Sequence, residues 1–129
     1  MDAFDISASG LSAQRARLDL IASNIANVET TRTPEGGPYR RLQAVFASRG
    51  RGPGGVEVLG VATDPRPAPQ VYQPGHPDAD PQGYVAYPNV NIVEEMVDLV
   101  SATRSYQANA AALSAAKTMA QQALDLGRA

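Results

Sequence analysis

His76, Asp78 and Asp80 set an imidazole beside two carboxylates within five residues. His76 is the only histidine and there is no cysteine, so a metal here would depend on carboxylates around a single imidazole. The flanking Pro74-Gly75 and Pro77 spell an exposed turn instead. Asp78-Ala79-Asp80-Pro81-Gln82-Gly83 echoes the start of a calcium loop. However, Gln82 replaces a preferred ligand, Pro81 stiffens the turn, and Asn89 stands where a bidentate Glu is needed. The run predicts a turn in which Asp side chains accept from nearby backbone N–H groups.

Three other groupings could carry chemistry. Arg49-Gly50-Arg51-Gly52-Pro53-Gly54-Gly55 resembles a phosphate cradle or an RGG tract. It lacks the Lys-Ser/Thr ending of a P-loop, a helix behind it, and any aromatic for base stacking. A solvated hairpin turn accounts for it. Glu94, Glu95 and Asp98 could pair as general acid and base, but negative charge in the first turns of a helix complements its dipole. No serine sits in a Gly-x-Ser-x-Gly elbow. The motifs therefore supply no catalytic residue, no metal ligand and no cofactor-binding residue.

Composition narrows the classes further. The chain has 129 residues, enough for one ordinary domain, and a formal charge of −2, which argues against binding nucleic acid by phosphate neutralisation. With 5% aromatics and no Trp, a large globular core is not expected, nor the cleft that a small hydrolase would need. No apolar run approaches the roughly 20 residues of a membrane span, so no direct membrane insertion is expected. Met1-Asp2-Ala3-Phe4-Asp5 places acid where a secretory leader carries Lys or Arg, which predicts no cleaved signal peptide.

The elements follow from where the helix breakers lie. All ten prolines fall between Pro34 and Pro88, and nine of the eleven glycines between Gly36 and Gly83, leaving two proline-free ends. Asn91 to Leu126 predicts one long helix, with Asn91 as its cap, Glu94 reaching back, and Gly127 as a left-handed stop. Ile92, Leu99, Tyr106, Leu113 and Ala120 recur every seven residues, and Met96, Thr103, Ala110 and Leu124 share their stripe. Such a narrow seam is the pattern of a coiled coil and calls for a partner helix. About Asp2 to Val28, a second helix carries Phe4, Leu11, Leu18 and Ile25, with Ile21 and Val28. Asp2 would cap it, and Gly10 marks a kink, a close approach, or simply a frayed or late-starting helix.

Between the ends, Tyr39–Ser48, Gly55–Ala62, Gln70–Tyr72 and Gly83–Tyr87 predict short strands, the first two joined as a hairpin. The expected fold is α+β, with two long terminal helices (residues 1–30 and 89–129) pairing as a coiled-coil-like bundle. A small Pro/Gly-rich β insertion occupies residues 31–88. The amides Gln14, Asn24, Asn27, Gln107 and Asn109 sit on otherwise apolar helices, where such groups fix register and partner. For Asn27 a simple helix C-cap is the competing role. The expected assembly interface is Leu11, Leu18, Ile21, Asn24, Ile25, Asn27 and Val28 at one end. At the other it is Ile92, Met96, Leu99, Thr103, Tyr106, Gln107, Asn109, Ala110, Leu113, Ala120 and Leu124.

Leu18 through Thr30, Leu-Asp-Leu-Ile-Ala-Ser-Asn-Ile-Ala-Asn-Val-Glu-Thr, resembles the N-terminal signature of the bacterial flagellar rod, hook and hook-associated axial proteins. Pro74 through Val85, Tyr87-Pro88-Asn89-Val90-Asn91, Glu94-Glu95-Met96-Val97 and Arg104 through Asn109 are similar to segments of a short proximal-rod member. Arg49–Gly55 and Arg66–Ala68 lie outside the motif positions. The resemblance implies a structural subunit of the basal-body rod, the periplasm-spanning drive shaft that transmits torque for motility. It also implies a homo-oligomer in a helical rod, other flagellar rod proteins as neighbours, and passage through the flagellar type III export apparatus. A different short rod component, or a helical adaptor unrelated to flagella, is the alternative. An adaptor would form a defined monomer or dimer and no polymer.

Overall fold

A computed structural model describes residues 3–50 and 54–128. Helix α1 spans Ala3–Ala26, strands β1 to β4 span Leu42–Ser48, Val56–Thr63, Gln70–Tyr72 and Tyr84–Ala86, and helix α2 spans Ile92–Arg128. The expected cap at Asp2 lies outside the described residues. At the other end of α1, Asn27 donates from Nδ2 to the Ser23 carbonyl (2.8 Å) while its Oδ1 accepts from the Thr30 hydroxyl (3.1 Å). Its C-capping needs no left-handed conformation, since among the described residues only glycines have positive φ.

Helix α2 begins as its sequence predicts. The Asn91 carboxamide accepts from the backbone N–H groups of Val93 (2.9 Å) and Glu94 (3.3 Å), filling two of the orphan donors of the first turn. Glu94 does not complete a reciprocal box; its carboxylate takes Arg66 Nη1 at 3.3 Å. Gly127 does not stop the helix either. It lies inside α2 without a positive φ. At 1.5 Å per residue α2 is about 55 Å long, against about 36 Å for α1.

The insertion holds two separate two-stranded antiparallel sheets. β1 pairs with β2 from Leu42↔Thr63 to Ser48↔Val56, with a register shift between Val45 and Phe46 that leaves Leu59 as the extra residue. β3 pairs with β4 from Gln70↔Ala86 to Tyr72↔Tyr84. β1 starts three residues later than its apolar pattern suggests, because the N–H groups of Tyr39 and Arg41 are bound elsewhere. Tyr39 donates its N–H to the Thr30 carbonyl (3.0 Å), and Arg41 donates its N–H to Asn89 Oδ1 (2.8 Å). The tract after β1 closes as a turn through Arg49 N–H to the Gly55 carbonyl, with Gly55 at φ 87°. Residues 51–53 of the Arg-Gly run lie outside the described residues. As expected of the acidic turn, Asp80 Oδ1 accepts from the N–H groups of Gln82 and Tyr84, both at 2.9 Å.

Helix α1 is the shared element, packed against α2 on one side and against the β1–β2 hairpin on another. The helices run antiparallel: Asn24 meets Glu95 near one end and Gly10 meets Asn109 near the other. The face that α2 turns to α1 carries Glu95, Ala102 and Ala116 as buried residues, with Asp98, Ser105 and Asn109 half-buried. On α1 the buried residues include Ser7, Gly10, Ile21 and Asn24. Both stripes keep a heptad spacing: on α2 it sits three residues off the Ile92, Leu99, Tyr106 series, while on α1 it takes in Ile21 of the expected seam and leaves Leu11, Leu18 and Ile25 half-buried. Small and polar groups bring the backbones together, and the long apolar side chains fall on the flanks. A Cβ on Gly10 would stand 2.5 Å from Asn109 Oδ1, so the glycine serves close approach within a continuous helix.

Gly10→Ala is therefore expected to destabilise the helix pair by about 1–3 kcal/mol through overpacking, despite the roughly 1 kcal/mol that Ala gains over Gly in a helix. Gly10→Ala combined with Asn109→Ala should recover most of that loss. Thermal unfolding followed by circular dichroism checks both, and an unperturbed single variant would show that the approach at Gly10 is not tight.

Candidate assembly surface

A buried polar junction fixes how the two helices and the hairpin meet. Asn24 is fully buried, and its carboxamide does the work of a neighbouring strand. Nδ2 donates to the Leu42 carbonyl (2.9 Å) and Oδ1 accepts from the Leu42 N–H (3.0 Å). The second N–H reaches Glu95 Oε2 (3.3 Å) and the second lone pair accepts from the Tyr39 hydroxyl (2.7 Å). That hydroxyl also lies 3.2 Å from Ser23 Oγ. All four hydrogen-bonding positions of the amide are filled, which a buried amide needs.

Beside it, Arg41 spans three carboxylates. Its Nε meets Glu95 Oε1, Nη1 lies 3.3 Å from Asp64 Oδ2, and Nη2 lies 3.1 Å from Asp98 Oδ2. Burial opposes the charge on Arg41, but the Glu95 hydrogen bond and its attraction, with Asp64 and Asp98, outweigh that and raise its pKa. Arg66 covers Asp64 from the other side, at 2.9 Å from Nη2 to Oδ2. Those hydrogen bonds, the Arg66 side chain's first and its backbone N–H next, overcome burial and pull Asp64 down to about 2. Asn89 closes the ring by donating to the carbonyls of Asp64 (3.1 Å) and Arg66 (2.8 Å). Glu94, Glu95 and Asp98, expected as dipole-complementing acids, thus each take an arginine as well.

Sequence reasoning placed Asn24 in an interface and missed Tyr39, Arg41, Asp64, Arg66 and Asn89. A signal for two of them existed. A hairpin in register Leu42↔Thr63 sets Arg41 opposite Asp64, and the Asp64 N–H donates to the Arg41 carbonyl at 2.8 Å. His76 is engaged in its own turn, its Nδ1 accepting from the Asp78 N–H at 3.0 Å. Asp78 in turn receives the Thr31 hydroxyl (2.7 Å) and Arg32 Nε (2.8 Å), tying the loop after α1 to the insertion. Among the described residues no three His, Asp or Glu side chains gather as a metal site, and no helix is long and apolar enough to cross a membrane.

The residues expected at an assembly interface divide by position. Ile21 and Asn24 are buried within the chain, while Leu11, Leu18, Ile25, Asn27, Val28, Asn109, Ala110 and Leu113 are half-buried. Ile92, Met96, Leu99, Thr103, Tyr106, Gln107, Ala120 and Leu124 are exposed. Next to them lies a larger apolar strip on the side of α2 turned away from α1. It holds Val93, Met96, Val97 and Val100, each more than half exposed, with Arg104 at its end. These four side chains form one contiguous exposed apolar strip on a single helix.

Comparison with known proteins agrees over the whole length. Residues 4–32 match the family described as "Flagella basal body rod protein", and residues 82–126 match "Flagellar basal body rod FlgEFG protein C-terminal". The flagellar basal-body rod protein FlgC of Salmonella typhimurium is 47% identical, over 99% of this chain and 98% of its own length. FlgC of Borreliella burgdorferi is 44% identical over 93% and 92% of the two chains. FlgC of Bacillus subtilis is 43% identical over 96% and 95%.

Two outcomes test the junction. Asn24→Asp keeps the shape but loses both donors and sets a negative charge against Glu95, at an expected cost of about 3–5 kcal/mol in urea unfolding at neutral pH. The second concerns acid. The folded pKa of Asp64 lies below its ordinary 3.8, so its contribution is complete above that value and is lost as pH falls from 3.8 toward 2. The stability difference between the natural chain and Asp64→Asn should shrink over that window and stay constant above it; a difference that grows on acidification would contradict the ion pairing.

From its helix-pair architecture, its motifs and its near full-length relatives, this chain belongs to the FlgC family of bacterial flagellar basal-body rod proteins.

Proposed function

We propose that the chain is a structural subunit of the flagellar basal-body rod, polymerising through its terminal helices into the shaft that crosses the periplasm and transmits torque. It stands there beside further copies of itself and other rod proteins, delivered by the flagellar type III export apparatus without signal cleavage. One observation carries the reading: the chain leaves its longest helix covered along one face only, with apolar side chains on the opposite face. A rod offers the neighbours that would cover them. The flank bearing Ile92, Met96, Leu99, Thr103 and Tyr106 is the assembly surface on this reading, and it rests on packing alone, with no reaction assigned.

The role is mechanical. The ion-paired junction around Arg41 holds the insertion at a fixed angle to the helix pair, so load entering through the insertion is passed to the shaft. Side-by-side helices resist twisting because their packed side chains interdigitate and cannot slide without leaving voids.

Leu99→Asp places a charge on this flank, where Leu99 is 37% exposed in the single chain. The variant should keep its helical circular dichroism yet be absent from isolated basal bodies and abolish motility. Rods that assemble normally with Leu99→Asp would refute the assignment of this flank.

A further inference from the structure

The turn that follows β3 is built around an imidazole nitrogen. His76, the only histidine of the chain, is half-buried there. Its Nδ1 accepts the Asp78 N–H at 3.0 Å. Its backbone N–H donates to the Gln73 carbonyl (3.0 Å), and its carbonyl accepts from the Ala79 N–H (3.1 Å). An Nδ1 that accepts carries no proton, so the neutral ring holds its hydrogen on Nε2. A second proton can enter only at Nδ1. The charged ring is then a donor at both nitrogens and can no longer take the Asp78 N–H.

Asp78 offers the two forms of the ring opposite contacts. Its N–H suits the neutral imidazole, and its carboxylate suits the imidazolium. That carboxylate is committed to the loop between α1 and β1, accepting from the Thr31 hydroxyl (2.7 Å) and from Arg32 Nε (2.8 Å). Those bonds, Thr31's first and Arg32's next, outweigh burial and hold the Asp78 carboxyl below its ordinary value; charge on His76 lowers it further. Asp78 therefore stays ionised where histidine side chains change charge, between about pH 5 and 8. From the segment after β4, the Tyr87 ring meets the imidazole edge-on at 6.4 Å, with its hydroxyl donating to Gln73 Oε1 (2.6 Å). Asp80, two residues beyond Asp78, accepts from the N–H groups of Gln82 and Tyr84. A charge gained at His76 thus sets the ring in competition with Thr31 and Arg32 for one carboxylate.

We propose that His76 is a pH-operated latch: on protonation it releases the Asp78 N–H and draws the Asp78 carboxylate away from Thr31 and Arg32, freeing the loop that leaves α1 from the insertion. The other end of that loop stays held by Tyr39 and Arg41, so the helix pair and the ion-paired junction persist and the change is local. The latch is a property of the single chain and does not rest on the rod reading.

Two-dimensional NMR of the purified full chain, titrated from about pH 8 to about pH 5, reads it directly. The Asp78 amide and Arg32 Nε–H signals should move with the His76 ring at one midpoint. The Asp78 amide should also lose about tenfold in protection from hydrogen exchange, the equivalent of one neutral hydrogen bond. His76→Asn keeps an acceptor for the N–H two residues on but takes no proton, so both signals should hold still across the range. His76→Ala should leave the Asp78 amide unprotected at either end. The latch is overturned if the ring titrates while the Asp78 amide and Arg32 stay unmoved, or if His76→Asn responds to acid as the natural chain does. A ring that takes no proton above about pH 5 overturns it as well.

Discussion

The fold turns on one amide. Asn24 presents a donor and an acceptor to both backbone groups of Leu42, so the first residue of β1 is paired by a helix side chain where another strand would otherwise be needed. A two-stranded ribbon is marginal by itself in water. Here its open end is anchored to α1 by Asn24, and its turn end by Ser9 Oγ, which accepts the Val56 N–H at 3.1 Å. The hairpin is thereby laid along α1, and its position becomes a consequence of the helix.

The charges around Asn24 extend that dependence to α2. Glu95 is fully buried, and a buried carboxylate is tolerated only where its charge is paired and its oxygens are hydrogen-bonded. Asn24 and Arg41 supply those partners, one from α1 and one from the start of the hairpin. Buried ion pairs add little net stability compared with apolar packing, but removing one partner is costly. Their effect is specificity: an arrangement of α1, α2 and the hairpin that separates Arg41 from Glu95, Asp64 and Asp98 strands a charge. A chain with few large residues in its core gains a unique geometry in this way.

That economy frees the apolar side chains for other contacts. The helix pair is knit by Ser7, Gly10, Ala102, Asn109 and Ala116, which permit close backbone approach, so valines, methionines and leucines of α2 remain on the outside. A subunit whose large apolar residues face outward and whose polar residues face inward suits an assembly whose neighbours complete the burial.

Much of this was open to reading in one dimension. Confinement of proline and glycine to the middle fixed two helical ends and a β insertion, because those residues break helices wherever they stand. Asn91, the Asp80 turn and the strand from Gln70 to Tyr72 follow local chemistry and were legible for that reason. The seven-residue period showed that the helices pair, but not which face does so, since apolar residues at Ile92, Leu99 and Tyr106 and small or polar ones at Glu95, Ala102 and Asn109 share the same period. Only tertiary structure chose between the faces, because closeness of approach depends on what the opposite helix offers at Gly10 and Ser7. Arg41, Asp64 and Asn89 likewise lie far apart along the chain; the hairpin register joins the first two, but no local signal joins them to Asn89 or Glu95. Their meeting is a product of the folded backbone, which brings three segments to one buried point where each charge finds its counterpart.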